Sequence, residues 1–536
     1  MATSTHYLLS DENDFTATIT TTFTPFFPFA LAGTTEIRHD YFDTFDWRLF
    51  RAGYSLYAEN SAQGFRFTLQ RLQGKEVATA ISSGVVFPQF ASQFPAGTLQ
   101  RKLQKIIANR ILLPLLSLQG TAQQWTIGEC TKHPIQLHAI HAAWHLPSAS
   151  ETPGNPFTLL SLHCPAGAKK SFTEQVRALF DSLRNATVLP ENLLLSGLEW
   201  CQVSVQNISP DITFGNDPTA PASAMVVRTF QQLQHVMVLN EPGIEQGLDT
   251  EFLHDFRVAL RRTRSLIKVF ADLFPPDQLG QFNPQWRWLT RRTGFLRDID
   301  VFLEAFETYR QTVPSTLAEE LLPFRALLWQ RRDKAHSILC RALRSRRYHT
   351  LMEGWRTMLA AQTPESDETI AAVSITRLEQ SYRRLRHKGK LYHAEPTATS
   401  LHALRLAGKK LRYLLEFTLP VYGPQHLAPL VKALKQLQNG LGALNDLAVH
   451  ERLIIATARQ MELTRQGNRT TFMALGYIMA TLDGLNAAER ERIDTLWKKL
   501  ATRDVHRQFQ LLLAEYSPST APDFVQETTP SEGSHG

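Results

Sequence analysis

The feature that most constrains this chain is a motif that occurs twice at one fixed distance. HDFRVALRRTR (254–264) and HALRLAGKKLR (402–412) both read His-x2-Arg-x3-basic-basic-x-Arg, and thirty residues past the last Arg of each stand GFLRD (294–298) and GALND (442–446). His254/His402, Arg257/Arg405, Arg261/Lys409, Arg262/Lys410, Arg264/Arg412, Gly294/Gly442 and Asp298/Asp446 therefore share a single offset of 148. One offset across gapped motifs means duplication. A period this long is no solenoid unit, so the pattern predicts two helical bundles related by a pseudo-twofold axis.

Within each copy, positions 0, +3, +7 and +10 of a helix fall within roughly 80° of one another. His254, Arg257, Arg261 and Arg264 thus form one stripe that Lys268 continues. His402, Arg405, Lys409 and Arg412 form its counterpart, with Glu416 in place of the last cation, while Arg262 and Lys410 point to one side. A face needing only solubility interleaves Glu with Lys. Here like charges sit at i,i+3 and i,i+4, each costing the helix roughly 0.2–0.5 kcal/mol. A bridging anion turns that repulsion into attraction, and Arg offers forked donors suited to phosphate oxygens. On the next helix of each copy, Arg287, Arg291, Gly294 and Asp298 share a face, as do Lys435, Asn439, Gly442 and Asp446. The Gly is expected to admit a close neighbouring helix. The Asp is expected to be structural, holding a His or Arg of the basic stripe in place, since no second acid recurs beside it in both copies.

Charge follows the same division. Residues 221–450 carry 32 Lys/Arg against 22 Asp/Glu, whereas residues 1–220 carry 15 against 17. A basic middle inside a chain of 536 residues implies a polyanionic partner. Cys130, Cys164, Cys201 and Cys340 stand far apart without a CxxC pair, which argues against a zinc site or a disulfide framework and fits a reducing cytoplasm. The apolar run IIANRILLPLLSLQG is short and contains Arg110 and Pro114, so neither a signal peptide nor a membrane span is expected.

Residues 1–204 alternate short apolar runs with Gly, Pro and Asn breaks and read as an α+β domain, with helices at 98–116 and 171–185. QNISPDITFGNDPTAPAS lacks apolar periodicity, so 205–223 reads as a linker. Residues 224–513 should be all helical, and the tail 514–536 disordered. His138, His141 and His145 have helical spacing that suits zinc, but between prolines in a strand-rich domain an extended chain sends His138 and His141 to opposite faces. No metal site is assigned to them. The Phe-rich TFTPFFPFAL (22–31) reads as an apolar packing segment.

The two basic segments, with GFLRDIDVF and LGALNDLAV, closely resemble the CHAD family of α-helical domains. That resemblance, over about 290 residues, implies two four-helix bundles about a pseudo-twofold axis whose repeated helices bind inorganic polyphosphate. It implies phosphate contacts from His254, Arg257, Arg261, Arg262 and Arg264 and from His402, Arg405, Lys409, Lys410 and Arg412; Lys268, Arg287, Arg291 and Lys435 extend the set. RRDKAHSILCRALRSRR and YRRLRHKGK lie outside the motifs and are equally readable as further contacts or as solvated faces.

YFDTFDWRLFRAGYSLYAENSAQGFRFTLQRLQG (41–74) is similar to the second-strand region of the CYTH, or triphosphate tunnel, family. The resemblance implies an antiparallel sheet closed into a tunnel, with strand Glu residues holding a divalent metal. The chain departs from that pattern. Ala2, Ser4 and His6 stand where the family has Glu-x-Glu-x-Lys, Tyr57 and Glu59 where it has Arg-x-Arg, Thr68, Leu69 and Gln70 where it has TLK, and LLSLH (159–163) where it has an acid-rich strand. Loss of the metal carboxylates forfeits charge neutralisation and water positioning. The expectation is therefore a non-catalytic polyphosphate binder with a degenerate tunnel-like N-terminal domain serving as scaffold or protein-interaction surface, and with no cofactor. Such binding would direct the protein to polyphosphate granules in the cytoplasm. The alternative is a metal-dependent triphosphatase or polyphosphate hydrolase using the tunnel domain. Sequence-specific nucleic-acid binding is disfavoured, because the stripes carry neither stacking aromatics nor a helix-turn-helix.

Overall fold

The computed structural model describes residues 3–9, 20–21, 23–82, 89–127, 135–147, 157–164, 170–181, 186–188, 192–205, 208–362 and 368–516. The chain divides into two compact units, residues 1–208 and 209–536.

The first unit is built on a nine-stranded sheet of order β5-β4-β3-β2-β6-β7-β8-β1-β9. The strands are β1 (Thr3–Leu9), β2 (Phe29–Asp43), β3 (Tyr54–Ser61), β4 (Gly64–Arg71), β5 (Glu76–Ser82), β6 (Leu113–Ile127), β7 (Ile135–His145), β8 (Phe157–Cys164) and β9 (Ala186–Val188). Every pairing is antiparallel. Side chains alternate between faces along each strand, and helices cover both. On one face Leu99, Leu103 and Ile107 of α2 (Thr98–Ile107) pack on Leu56, Phe67 and Leu69. On the other, Leu194 and Leu198 of α4 (Leu193–Trp200) pack against Tyr41, Leu118, Trp144 and Phe157. Asn192 starts α4, accepting from the Leu194 N–H at 3.0 Å and donating to Ser55 Oγ at 2.9 Å. Helix α1 (Arg48–Arg51) and helix α3 (Lys170–Asp181) complete the unit.

Three sequence expectations meet the structure here. The helix anticipated over 98–116 stops at Ile107, and residues from Leu113 form β6. Ala108 takes a left-handed φ of 51°, which halts the helix, and Pro114 has no N–H to offer a helical ladder. β7 is extended over IQLHAIHAAWH, so His138 and His141 do lie on opposite faces. Phe23 is fully buried with Trp125 and Ile127, as a packing segment should be, although Phe26 is 64% exposed.

The second unit repeats its helices. α5 (Ala222–Gln246), α6 (Thr250–Phe270), α7 (Asn283–Arg310), α8 (Leu322–Leu343) and α9 (Arg346–Ala360) are followed by α10 (Ile370–Ala394), α11 (Ala398–Tyr422), α12 (Pro424–Leu463), α13 (Arg469–Leu500) and α14 (Arg503–Tyr516). The first two helices of each set begin 148 residues apart. Each four-helix set thus gains a fifth helix, whose aromatic face closes the bundle. Trp355 of α9 meets Phe230, Phe282 and Trp286 edge-on at 5.0–5.3 Å, and Phe509 of α14 meets Tyr382 at 4.2 Å. The sets do not fold as separate cores. Phe302, Phe306 and Phe324 of the first share one cluster with Ile454, Met461, Leu475 and Ile478 of the second.

The segment read as a linker is held to this unit from residue 209 onward. Phe214 is buried between Phe270 and Phe417, and its N–H donates to the Phe417 carbonyl at 2.9 Å. A single aromatic anchor carries no periodicity, which is why the sequence pattern hid it. Of the tail, Ala514–Tyr516 finish α14, with Tyr516 against Tyr422 at 4.8 Å, and residues 517–536 lie outside the described residues.

Candidate functional site

The stripes of α6 and α11 meet where the repeats meet. Lys409 lies in the field of Arg261, Arg405, Arg257 and Arg264, so cations of both copies act on its ammonium. Burial, then these four charges, push its pKa down to about 7. Arg261 and Lys409 are counterparts under the repeat, as are Asp298 and Asp446, which also feel one another. Counterparts adjoin only near a twofold axis, so both pairs mark where it passes.

Uncharged groups orient the cations and leave their charge standing. Arg257 Nη1 donates to Thr293 Oγ1 at 2.9 Å, Arg264 Nη1 to Thr290 Oγ1 at 3.1 Å, and Arg405 Nη1 to Asn445 Oδ1 at 2.8 Å. Burial depresses all three pKa values. That of Arg257 falls to about 10, with Arg261 adding to the effect and Asp298 opposing it; Arg287 adds to the effect on Arg264, and Asp446 opposes it on Arg405. Nε of Arg261 is buried and has no hydrogen-bond partner. Sequence reasoning missed Thr290, Thr293 and Asn445. The first two could have been found, since they share the α7 face with Arg287 and Gly294. Asn445 could not, because Arg297 occupies its place in the first copy.

The remaining residues spread outward. Lys268, Arg287, Arg291, His402 and Lys435 are exposed, and His254 is half-buried. Arg412 is tied to Glu416, Nε to Oε1 at 2.6 Å. Lys410 is half-buried beside Arg384, Arg377 and Lys268; burial, then those cations, lower its pKa.

Arg262 departs from the expected phosphate-facing position. It is 2% exposed, donates to the Ile212 carbonyl, lies 3.4 Å from Glu416 Oε2 and 3.5 Å from Asp211 Oδ1, and stacks on Phe417 at 4.3 Å. Its place on the inner side of the stripe turns it into the packing, where it ties the 209–214 segment down.

The glycine expectation is also corrected. A Cβ on Gly294 would meet Arg257 Nη1 at 3.7 Å, and one on Gly442 would meet nothing within 4 Å. These glycines leave room beside the cations and admit no close helix. Close packing falls elsewhere, as at Gly408 against Gln438 and Gly389 against Trp497. Asp298 and Asp446 sit in the field of Arg257 and Arg405 respectively. Burial raises the Asp298 pKa, Arg257 opposes that, and Asp446 adds to it.

In the first unit, the positions compared with tunnel-family residues hold other chemistry. Tyr57 packs on Tyr41 at 5.5 Å, while Glu59 pairs with His39 at 3.4 Å and Arg66 at 3.8 Å. Ser4 and His6 of β1 pair in register with His163 and Ser161, and Ala2 lies outside the described residues. Among the described residues no group of three or more His, Cys, Asp or Glu is arranged to hold a metal ion. Nor is any described helix long and apolar enough to cross a membrane.

Residues 228–454 match the family model of the CHAD domain. The CHAD domain from the plant Ricinus communis is 27% identical over 54% of this chain and 95% of its own, with a TM-score of 0.46. PptA from Streptomyces chartreusis is 19% identical over 53% of this chain and 99% of its own, with a TM-score of 0.41. A putative adenylate cyclase from Bacillus halodurans is 15% identical over 36% of this chain and 95% of its own, with a TM-score of 0.25. No curated protein matches the chain.

Proposed function

Residues 228–454 are a CHAD domain, and from that premise we propose that the helical unit binds inorganic polyphosphate without cleaving it. The observation that carries this is a cluster of cations held by uncharged partners, Arg257 by Thr293, Arg264 by Thr290 and Arg405 by Asn445, with Lys409 in the field of guanidiniums from both repeats. Half-buried like charges destabilise the free protein, and a chain of phosphates, with a negative charge on every unit, supplies the missing countercharge along the line where the stripes meet. Arg257, Arg261, Arg264, Arg405 and Lys409 form the centre. Lys268, Arg287, Arg291, His254, His402, Lys410 and Lys435 stand around it, Arg412 is partly neutralised by Glu416, and Arg262 is a structural tie. The same binding would direct the protein to polyphosphate granules.

Polyphosphate is favoured over RNA because Tyr413, the ring beneath Lys409 at 5.9 Å, is buried and presents no face to a base. Catalysis by the first unit finds no support where tunnel enzymes place phosphate-binding Arg, since those positions hold a packed Tyr and a paired Glu. The test is a titration with phosphate chains of graded length at two salt concentrations, with RNA as competitor and phosphate release followed in magnesium and manganese. Affinity should rise with length and fall with salt, RNA should compete poorly, and no phosphate should be released. Metal-dependent release from tripolyphosphate would overturn the non-catalytic reading, and preferential RNA binding would overturn the ligand.

A further inference from the structure

The offset of 148 pairs Arg262 with Lys410 and Glu416 with Lys268. The Arg262–Glu416 contact and the approach of Lys410 to Lys268 are therefore the same place seen twice, once on each side of the pseudo-twofold. Their chemistry is opposite. On one side, Arg262 and Glu416 form an ion pair, and Ile212, Asp211 and Phe214 lie over it as described above. On the other side two lysines face each other's field, and Arg384 and Arg377 of α10 add to it. The counterparts of Arg377 and Arg384 in the first repeat are Thr229 and Val236, both uncharged. Arg377 is committed to Asp272 at 2.9 Å and to the Val269 carbonyl, which anchors α10 to the end of α6. Lys268, Lys410 and Arg384 make no hydrogen bond or ion pair among the described residues.

A solvated charged face would also show unpaired lysines, but it would interleave acids among them. Lys410 is half-buried among cations with no acid at hand, an arrangement that a duplicated sequence could have neutralised as it did at Arg262–Glu416. We infer that the bound polyanion leaves the cationic centre through one mouth only, past Lys268 and Lys410 and over Arg384, while the opposite mouth is closed by the Arg262–Glu416 pair under the 209–214 segment. The site thus holds a chain end and lets the rest of a long polyphosphate run out on the α10 side. The inference rests on the phosphate reading above and adds a direction to it. It also assigns one residue of YRRLRHKGK, Arg384, to the ligand.

The experiment compares tripolyphosphate with long-chain polyphosphate on the full chain, using wild type and the Lys410→Ala/Arg384→Ala double variant, with thermal unfolding as the check on folding. Wild type should prefer the long chain. In the double variant that preference should shrink on the order of tenfold, the loss expected for two screened phosphate contacts, with the long chain bearing most of the loss. An unchanged preference, or equal loss for both ligands, overturns the single mouth and leaves the phosphate reading standing. Failure of wild type to bind either ligand overturns both. Should the double variant unfold, charge-conserving Lys410→Arg and Arg384→Lys variants must retain the wild-type preference, and their loss of it counts against the inference.

Discussion

Replacing Lys409 by Met should make the free protein more stable and a poorer ligand binder at once. The amine has an ordinary pKa of 10.5 and is held at about 7 in the fold by burial and by Arg261, Arg405, Arg257 and Arg264. Before solvent screening, that gap is worth about 5 kcal/mol against the charged form. The sign follows from proton counting. Between pH 7 and 10.5 the unfolded chain holds a proton that the folded chain has released, so this group makes stability rise with pH across that window. Its cost is complete below about 7 and gone above about 10.5. Met fills similar space without charge, and the expected gain is on the order of 1–4 kcal/mol, the upper range found where buried ion pairs give way to well-packed hydrophobes. Urea unfolding near pH 6 should show that gain, and the same measurement near pH 9 should show most of it lost. Binding should also draw a proton onto Lys409 in the wild type, read by calorimetry as a heat that depends on the buffer's ionisation enthalpy, and that dependence should vanish in Lys409→Met. A variant destabilised equally at both pH values, with wild-type proton uptake, would refute the reasoning.

Removing Arg262 leaves the part-buried Ile212 carbonyl without its donor and Glu416 with Arg412 alone, so Arg262→Ala should cost about 1–3 kcal/mol in urea unfolding while reducing polyphosphate affinity far less than Arg261→Ala does. Asp298→Asn deletes a negative charge beneath Arg257 and beside Asp446. It should strengthen polyphosphate binding several-fold by calorimetry, whereas a catalytic Asp would abolish activity. Gly442→Ala should raise stability by about 0.4–1 kcal/mol, because a helical Cβ there meets open space. Gly389→Ala should be strongly destabilising, its Cβ falling 1.8 Å from the buried and rigid Trp497 ring.

The duplication was fully legible, because helices α5 and α10, and α6 and α11, begin at the same 148-residue offset that their charged motifs display. The stripe of Arg257, Arg261, Arg264, Arg405 and Lys409 was legible for the same reason: helical periodicity places side chains on a face whatever surrounds the helix. What lay hidden depended on partners distant in sequence. The side on which Arg262 and Lys410 sit follows from periodicity, but that one is tied down by Ile212 and Glu416 while the other faces Lys268 and Arg384 is tertiary information. The glycine error has a similar root, since space beside a helix is set by the side chains opposite. In the first unit, the run ending in PLLSL carried enough apolar residues for either element, and the turn after Ile107 settled it as strand β6.

The most direct measurement is the affinity of full-length protein for long-chain polyphosphate across a series of salt concentrations, for wild type and for Arg257→Gln with Arg405→Gln. Gln is used because Glu would set a new carboxylate in the field of Asp298 and Asp446. Wild-type affinity should fall linearly on a log–log plot against salt, by analogy with counterion release from nucleic acids, and the double variant should bind more weakly with a shallower slope at a thermal stability no lower than that of wild type. Coincident lines for the two proteins, or a wild-type line without slope, would contradict a ligand held by cations from both repeats.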